Sequence, residues 1–299
     1  MEQKPLVSII IPTYRRPEKL DHAIKSAVAQ TYKNTEIIVV DDNSNDLTMR
    51  KNTQKIVSKY PQIKLITPNK NLGGGETRNV GIKSATGEFI AFLDDDDEFL
   101  PTKIEKQIKM YEQKNIEHKK IGLIYCYEYS KKYNSNKCKI IKKDHEGNAL
   151  FEHLCFFTMP TSTWLCPKSV LNEVGGFDNI KSQQDLMLLM RMLAAGYEIF
   201  RVPEPLVLFN VHAPGDGISK HGDDFIKQVK HYNDECRKNY TSLSNYKKGL
   251  VDYSFSHRLF NCYLNAKEYN AARDELIKMI KTKPLRKRTI ESCIKWVIK

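Results

Sequence analysis

Apolar runs that alternate with helical periodicities fill the first hundred residues of the chain. The runs are LVSIII at 6–11, EIIVV at 36–40, IKLIT at 63–67 and EFIAFL at 88–93. Continuous apolar runs are typical of strands buried on both faces of a parallel sheet. Between the first two runs, Leu20, Ala23 and Ile24 recur at helical spacing after Pro17, a residue suited to a first helical turn. The alternation predicts an α/β fold with a mostly parallel sheet flanked by helices.

Sequence patterns in the remainder of the chain predict further strands and helices, and then helices alone. A helix follows Pro101, and the segments GLIYCYEYS and KCKIIKK are predicted to form an antiparallel strand pair. A helix over about 184–195 and a strand in EPLVLFNVH come next, whereas the pattern from Gly222 onward is purely helical. We therefore predict an α/β domain at 1–221 and a helical, basic C-terminal extension at 222–299.

The positive charge of the chain is concentrated in this extension. The net charge is +12, and residues from Gly222 onward carry 17 Lys and Arg against 9 Asp and Glu. The segment 281–299 holds seven basic residues against Glu291, together with apolar residues such as Ile294 and Trp296. This composition fits an anionic membrane surface, and packing on the preceding helices explains it comparably well. No nucleic-acid-binding motif accompanies the charge, so we expect no nucleic-acid partner.

The spacing of the cysteines and the hydropathy of the chain indicate the cellular compartment of the protein. The seven cysteines are scattered without C-x-x-C spacing, which argues against a zinc cluster or a disulfide framework and fits a reducing compartment. No stretch approaches the ~20 apolar residues that span a bilayer, and the N-terminus lacks the pattern of a secretory signal. We expect a cytoplasmic location, with peripheral attachment to the inner face of the cell membrane as an option.

The segment FLDDDDEFLP at 92–101 places four carboxylates, 94–97, directly after a predicted strand. Two like charges about 4 Å apart repel by ~1 kcal/mol in water and ~4 kcal/mol at an intermediate dielectric. If the strand continues, Asp94 and Asp96 face one side and Asp95 and Asp97 the other. Alternate carboxylates on one side favour a hard divalent cation such as Mg²⁺ or Mn²⁺. The alternative is a solvated turn and helix cap, which explains one or two of the carboxylates.

Two more polar clusters follow predicted strands, Pro12-Thr13-Tyr14 and Asp41-Asp42. In open α/β sheets, ligands bind outside the carboxyl ends of the strands. We therefore expect both clusters and the acidic run to lie at one edge of the sheet and to form the ligand site.

Four segments, taken together and in order, resemble the family-2 inverting glycosyltransferases of the GT-A fold. They are VSIIIPTYRRPEKLDHAIKSAVAQTY, EIIVVDDNSND, NLGGGETRNVGIKSATGEFIAFLDDDDEFLP and GGFD followed by QQDLMLLMRMLAAGY. The resemblance covers about residues 5–212. The four segments in combination are far more specific than a D-x-D motif alone. The resemblance implies a nucleotide-sugar half at about 1–100 and an acceptor half at about 101–221.

The resemblance implies roles for individual residues around the nucleotide sugar. Those expected to bind it are Pro12, Thr13, Tyr14, Asp41, Asp42, Arg78, Asp94 and Asp95. Asp42, alone or with Asp41, would accept a hydrogen bond from the base, although capping of the following helix is a compatible role. Asp96 matches the position of the metal ligand, Asp94 lies near the ribose or the metal, and His212 matches a further metal or phosphate contact.

The resemblance also implies a catalytic base. Asp185 in SQQDLMLLMR matches the aspartate of the family's Glu-Asp motif, and Gln184 stands where many relatives have glutamate. An aspartate in a first helical turn is also favoured by the helix dipole for ~0.3–1 kcal/mol without any catalysis. We expect Trp164, by its position, on the acceptor side.

The function implied is metal-dependent, inverting transfer of a sugar from a nucleoside diphosphate sugar, with a UDP-sugar favoured. The acceptor would be a hydroxyl of a glycan or a lipid-linked acceptor in polysaccharide biosynthesis, and the cofactor Mn²⁺ or Mg²⁺. An inactive sugar-nucleotide-binding protein is an alternative. A sugar-nucleotide nucleotidyltransferase is a weaker one, because its Gly-rich loop should follow the first strand, where this chain has PTYRR.

Overall fold

A nine-stranded sheet forms the centre of the α/β part of the protein. The computed structural model describes residues 4–133, 135, 137–155, 158–211 and 223–298. The strands are β1 (Val7–Thr13), β2 (Thr35–Asp41), β3 (Lys64–Ile66), β4 (Phe89–Phe92), β5 (Glu98–Phe99), β6 (Ile121–Lys131), β7 (Cys138–Ile141), β8 (Leu165–Pro167) and β9 (Glu198–Asn210). The helices are α1 (Pro17–Val28), α2 (Leu47–Val57), α3 (Gly74–Ser84), α4 (Lys103–Ile116), α5 (Leu150–Leu154), α6 (Lys168–Glu173), α7 (Gln184–Ala194), α8 (Asp223–Asn239), α9 (Asn245–Asn265), α10 (Tyr269–Thr282) and α11 (Lys287–Ile298), with a 3₁₀ turn at Thr161–Thr163.

The strand order in the sheet is β3-β2-β1-β4-β8-β6-β9-β5, with β7 paired to β6. Strands β1 to β4 pair in parallel, as the continuous apolar runs predict. Strand β8 runs antiparallel to both β4 and β6, while β6 and β9 pair in parallel. The predicted α/β class and the predicted antiparallel β6–β7 pair are confirmed. The sheet as a whole is mixed, because the strands after β4 add antiparallel pairs.

Strand β1 lies between β2 and β4 and is buried on both faces. Ile9, Ile10 and Ile11 are all without exposed surface, as a strand covered by helices on both sides requires. Pro12 ends the apolar run without ending the strand. Pairing with β4 stops at Ile10, so the N–H that Pro12 lacks is not needed on that side, and β1 and β4 can separate there.

The second core belongs to the C-terminal helices. The described residues divide into two compact units, one with those up to Ala149 and from Met159 to Val211, the other with those from Leu150 to Thr158 and from Asp223 onward. In the second unit, α8 to α11 follow one another as the helical pattern predicts, around buried side chains such as Phe260. Helix α5 belongs to this unit, although its residues fall within the α/β domain predicted at 1–221.

The predicted boundary between residues 221 and 222 lies outside the described residues and stays a prediction. Among the helices that the structure describes, none is both long and apolar enough to cross a bilayer.

Candidate active site

The polar clusters after β1, β2 and β4 meet at one edge of the sheet. These three strands are neighbours and parallel, so their carboxyl ends point the same way. The Asp42 N–H donates to the Thr13 carbonyl at 3.0 Å, which joins the ends of β2 and β1. The expected assembly of the clusters at the carboxyl edge is confirmed.

The acidic segment 94–97 is a turn and not a continuation of β4. Strand β4 ends at Phe92, and the Asp97 N–H donates to the Asp94 carbonyl at 3.0 Å. The strand therefore does not continue through this segment, which was the condition under which its carboxylates would alternate between the two sides. We refer to residues 94–97 as the acidic turn.

Two carboxylates of the acidic turn fasten it to the protein. Asp95 is buried and accepts hydrogen bonds from the Thr13 hydroxyl at 2.8 Å and from the Tyr14 N–H at 3.3 Å. Burial, and then the neighbouring Asp96 charge, raise the pKa of Asp95 to about 7. Asp97 accepts from the Ser162 hydroxyl at 2.6 Å, and burial likewise raises its pKa. Asp95 thus holds the end of β1, and its expected contact with the nucleotide sugar stays a prediction.

The other two carboxylates of the turn hold arginines. Asp94 forms an ion pair with Arg78, and Asp96 forms one with Arg16 at 2.7 Å. Arg16 was not among the residues expected at the site. Its position, three residues beyond the end of β1 and directly before α1, places it at the same edge of the sheet. That placement is the signal by which the sequence could have identified it.

Asp41 and Asp42 after β2 have different surroundings. Asp41 is fully buried and accepts from the side chain of Asn43 at 2.6 Å, and burial raises its pKa. Its Oδ2 atom has no hydrogen-bond partner among the described residues. Asp42 accepts from the N–H groups of Leu72 at 2.7 Å and Gly73 at 2.9 Å. Helix α2 is capped instead by Asp46, so the suggested capping role of Asp42 is wrong, and Asp42 organises the loop before α3.

Glycines at the start of α3 allow the loop before α7 to approach closely. Gly73 precedes the helix with a positive φ of 77°, which glycine adopts without strain. A Cβ on Gly75 would lie 2.6 Å from the carbonyl oxygen of Asp178 and 3.1 Å from Cδ of Gln184. The GGG sequence therefore brings α3 against the segment that carries Gln184 and Asp185.

Arg78 connects this helix to the acidic turn. Besides its ion pair with Asp94, its Nη1 donates to the Gly74 carbonyl at 3.2 Å, and its guanidinium lies 5.6 Å from the centre of the Phe177 ring. The side chain of Arg78 is mostly buried, so it is not an arginine on the solvated face of the helix.

Asp185 lies in the first turn of α7 and is partly exposed. Desolvation raises the pKa of its carboxyl, while the N–H of Leu186 and the charge of Arg78 act in the opposite direction and the charge of Asp94 adds to the rise. Gln183, directly before the helix, has a left-handed backbone with φ 65°. The structure thus brings Asp185 within electrostatic reach of Arg78 and Asp94.

The expected roles of His212 and Trp164 gain no support from the described residues. His212 lies outside the described residues. Trp164 is 1% exposed, and its carbonyl accepts a hydrogen bond from the buried Lys103 at 3.2 Å. Its buried indole does not support the expected place on the acceptor side. Tyr14, by contrast, has 45% of its surface exposed at the end of β1.

The donor set of the acidic turn suits a hard divalent cation only in part. Within the described residues, no three His, Cys, Asp or Glu side chains come together as a metal site. Asp94 and Asp96 supply the carboxylate oxygens that Mg²⁺ and Mn²⁺ prefer, and phosphate oxygens and water commonly complete such sites. The residues present therefore fit a cation that is bound together with a diphosphate.

Comparisons with known proteins agree with this geometry. The sequence model of Glycosyl transferase family 2 matches residues 8–174, more than half of the chain. The UDP-Glc:alpha-D-GlcNAc-diphosphoundecaprenol beta-1,3-glucosyltransferase WfgD of Escherichia coli is 42% identical over 111 residues, which cover 37% of this chain and 43% of that protein. An uncharacterized glycosyltransferase of Rickettsia typhi is 33% identical over 214 residues, which cover 70% of this chain and 64% of that protein.

Two solved structures have a similar fold. S. aureus TarS 1-349 in complex with UDP-GlcNAc has a TM-score of 0.63 at 18% identity, covering 98% of this chain and 88% of that one. The mannosyltransferase PcManGT from Pyrobaculum calidifontis, in complex with GDP-Man and Mn²⁺, has a TM-score of 0.58 at 16% identity, covering 100% and 87%.

Proposed function

The chain belongs to glycosyl transferase family 2 and has the GT-A fold, and we propose from this that it inverts the anomeric carbon of a nucleoside diphosphate sugar as it transfers the sugar to an acceptor hydroxyl. One observation carries the proposal. Arg78 of α3 pairs with Asp94 of the acidic turn, and Gly75 of the same helix lies against Gln184, the residue next to Asp185, so three separate segments meet at the carboxyl edge of the sheet. In α/β sheets that edge is where ligands bind.

Asp185 has the surroundings of a general base. Sugar transfer passes through an oxocarbenium-like transition state, and the acceptor oxygen becomes a better nucleophile as its proton leaves. Desolvation raises the pKa of Asp185, which makes its carboxylate a stronger proton acceptor. Attack from the face opposite the leaving group, with the proton going to Asp185, inverts the anomeric carbon in one displacement.

Arg78 and the acidic turn would bind the diphosphate side of the donor. Arg78 is held by Asp94 and the Gly74 carbonyl, so its charge is fixed at the edge of the sheet. Asp96, with Asp94, would hold a Mg²⁺ or Mn²⁺ ion, and such an ion stabilises the charge that develops on a leaving diphosphate. His212 is a further candidate ligand. Support for a cation comes from the carboxylate donor set and from the Mn²⁺ bound by PcManGT.

The end of β1 and the Asp41–Asp42 pair would bind the nucleoside. The exposed Tyr14 ring offers a stacking surface beside Pro12 and Thr13. Asp42 uses three of about four acceptor positions within the protein, which leaves one for a base N–H. We favour a UDP-sugar, because the names of WfgD and TarS point to UDP-sugars, whereas PcManGT carries GDP-Man.

The acceptor we propose is a glycan or a lipid-linked sugar of a polysaccharide pathway, and the second unit would attach the enzyme to an anionic membrane surface. WfgD is named for an acceptor linked to diphosphoundecaprenol. In this chain, α11 leaves an apolar stripe exposed, with Ile294, Val297 and Ile298 at helical spacing. The segment 281–299 also carries seven basic residues, and apolar and basic residues in one segment are suited to the interface of an anionic membrane.

Donor hydrolysis and transfer by the full chain test the proposed chemistry. UDP-, GDP- and dTDP-sugars are supplied with Mn²⁺ or with EDTA, and lipid-linked and glycan acceptors are added in turn. We expect one UDP-sugar to be turned over when Mn²⁺ is present and not when EDTA is present. The Asp96→Ala variant should lose this turnover. Asp185→Asn should lose about 10²–10⁴-fold in kcat while it binds the donor normally.

The control for Asp185→Asn is Asp223→Asn, which removes an acidic residue from the first turn of α8. Both variants lose a helix-dipole interaction, but only the Asp185 variant should lose transfer. Full activity of Asp185→Asn would contradict its role as the base. Because its pKa is raised, activity should also fall on acidification at a higher pH than an ordinary carboxylate would give.

A further inference from the structure

Arg16 occupies the side of the acidic turn where the proposed cation would bind. Its Nη1 lies 2.7 Å from Oδ2 of Asp96 and 3.5 Å from Oδ1 of Asp95. The Asp95 and Asp96 side chains are only 7% and 6% exposed, and that of Arg16 is 23% exposed. Two nearly buried carboxylates thus face one guanidinium that still reaches solvent.

The surroundings of Arg16 differ from those of Arg78. Arg78 is held by an ion pair, a carbonyl and an aromatic ring. For Arg16, the described hydrogen bonds of the guanidinium go to the two carboxylates. The backbone of Arg16 is anchored at the start of α1, where its carbonyl accepts from the N–H of Leu20 at 3.2 Å. The backbone is therefore fixed, while the side chain can leave the turn without disturbing other described contacts.

Two cations bound to one carboxylate group repel each other. A divalent ion on Asp96 would lie within a few ångströms of the Arg16 guanidinium, and that repulsion is strong where water is largely excluded. Asp94 is already paired with Arg78, whereas the nearly buried Asp96 has the Arg16 guanidinium as its ion-pair partner, so a metal that replaced Arg16 would take over the compensation of that charge.

We propose that Arg16 is the counterion of the acidic turn in the metal-free protein and that a divalent cation displaces it from Asp96. The inference rests on the proposed function, since it takes Asp96 to be a metal ligand. Arg16 is then a positioning residue that sets the affinity for the metal and keeps the empty site in one arrangement.

The test is Mn²⁺ binding to the full chain, measured with and without UDP. The electron paramagnetic resonance signal of free Mn²⁺ reports how much of the ion is bound. Arg16→Gln should bind Mn²⁺ about three- to tenfold more tightly than the wild type, because the competing charge is gone. Arg16→Lys, which keeps the charge, should stay close to the wild type. Arg15→Gln, compared without UDP, is the matched control, since Arg15 is 61% exposed and its ion-pair partner is Asp46, at 3.9 Å, and not a carboxylate of the acidic turn.

Thermal unfolding supplies a second readout with the opposite sign. Without metal, Arg16→Gln should melt at a lower temperature than Arg15→Gln, because the carboxylates of the turn lose their counterion. Saturating Mn²⁺ should raise its melting temperature by more than it raises that of the wild type. Tighter metal binding together with a less stable metal-free protein is a pair of effects that mere loss of packing does not produce.

Two outcomes would overturn this inference and leave the proposed function standing. If the wild type binds Mn²⁺ and Arg16→Gln binds it equally or more weakly, Arg16 does not compete with the metal. If Arg16→Gln and Arg15→Gln gain affinity equally, only overall charge matters. If no variant binds Mn²⁺ with or without UDP, the metal site of the proposed function fails and the inference fails with it.

Discussion

Asp42 has enough acceptor positions for two tasks. A carboxylate offers about four of them, and Asp42 uses three for Leu72, Gly73 and the side chain of Asn71. These bonds set the path of the backbone into α3, the helix that carries Arg78. The carboxylate is therefore both a fold-determining group and a candidate for reading the nucleotide base.

Replacement of Asp42 by asparagine tests this double role. The amide side chain keeps one accepting oxygen and turns an N–H₂ group toward donors, so at least one of the N–H groups that Asp42 accepts from loses its partner. We expect a loss of about 1–3 kcal/mol in the free energy of unfolding by urea, and at least about tenfold weaker UDP binding by calorimetry. Asp46→Asn is the control, because asparagine is an equally good helix cap. Weaker UDP binding with unchanged stability would contradict the role of Asp42 in the loop.

The acidic turn shows what the sequence predicts at this scale and what it does not. Four adjacent carboxylates after a strand correctly indicate the edge of the sheet that carries the candidate site. The sequence pattern does not give the partner of each carboxylate, because the two-residue alternation holds only within a strand, and β4 ends at Phe92. The partners of Asp97, which include Ser162 and Asn210, lie more than sixty residues away in sequence. No local pattern contains that information.

At the scale of elements, α3 packs on β1 through a glycine. A Cβ on Gly81 would lie 3.1 Å from Cδ1 of Ile10 and nearer still to its Cγ2. Helix α3 therefore approaches the central strand more closely than any residue with a side chain would allow. That approach places Gly73 and Arg78 at the carboxyl edge of the sheet.

Gly81→Ala should accordingly destabilise the protein despite the better helix propensity of alanine. Overpacking costs typically about 1–3 kcal/mol and alanine recovers at most about 1 kcal/mol, so we expect a net loss of roughly 1–2 kcal/mol in urea unfolding. The same change in an Ile10→Ala background should cost much less, because the crowding atoms are absent. Gly249→Ala, where nothing lies within 4 Å of the added Cβ, should not destabilise. An equal cost with and without the Ile10→Ala change would exclude crowding as the cause.

The elements that the sequence predicts are those with long periodic patterns. Strands β1 to β4 and helices α1 and α7 agree with the predicted segments to within a few residues. Strands β5 and β8 have two and three residues and were not predicted, since such short segments show no periodicity. Strand β8 exists because β4 and β6 offer it backbone partners on both sides. Its place in the sheet is set by tertiary contacts.

At the scale of the whole molecule, the site and the basic surface belong to different compact units. Asp185, Arg78 and the acidic turn lie in the first unit, and α8 to α11 lie in the second. The sequence indicates this division by its change from strand–helix alternation to helices alone and by its shift in charge. The same signals do not assign α5 to the second unit, because a helix of five residues is too short to show which hydrophobic core its apolar side chains join.

The proposed membrane attachment rests on the exposed apolar side of α11 in the second unit. Val297 and Ile298 are 83% and 78% exposed, and Ile294 lies on the same side of α11. Thr289 and Ser292 lie on the buried side of the helix, and Trp296 packs partly buried against the core of the second unit, so Ile294, Val297 and Ile298 form the exposed apolar side. Basic side chains near a membrane contribute about 1 kcal/mol each to binding anionic lipids. Apolar insertion and charge together would be needed for stable attachment.

Sedimentation with lipid vesicles tests this attachment for the full chain. We expect binding to vesicles with phosphatidylglycerol, little binding to pure phosphatidylcholine, and weakening as salt rises from about 0.05 M to about 0.5 M because the charges are screened. Val297→Ser with Ile298→Ser should reduce the partition coefficient about tenfold or more. Ile116→Ser, which removes an exposed apolar side chain from α4 in the first unit, should leave it unchanged. Equal binding to both kinds of vesicle, or equal effects of the two sets of changes, would mean that α11 does not hold this enzyme on an anionic membrane.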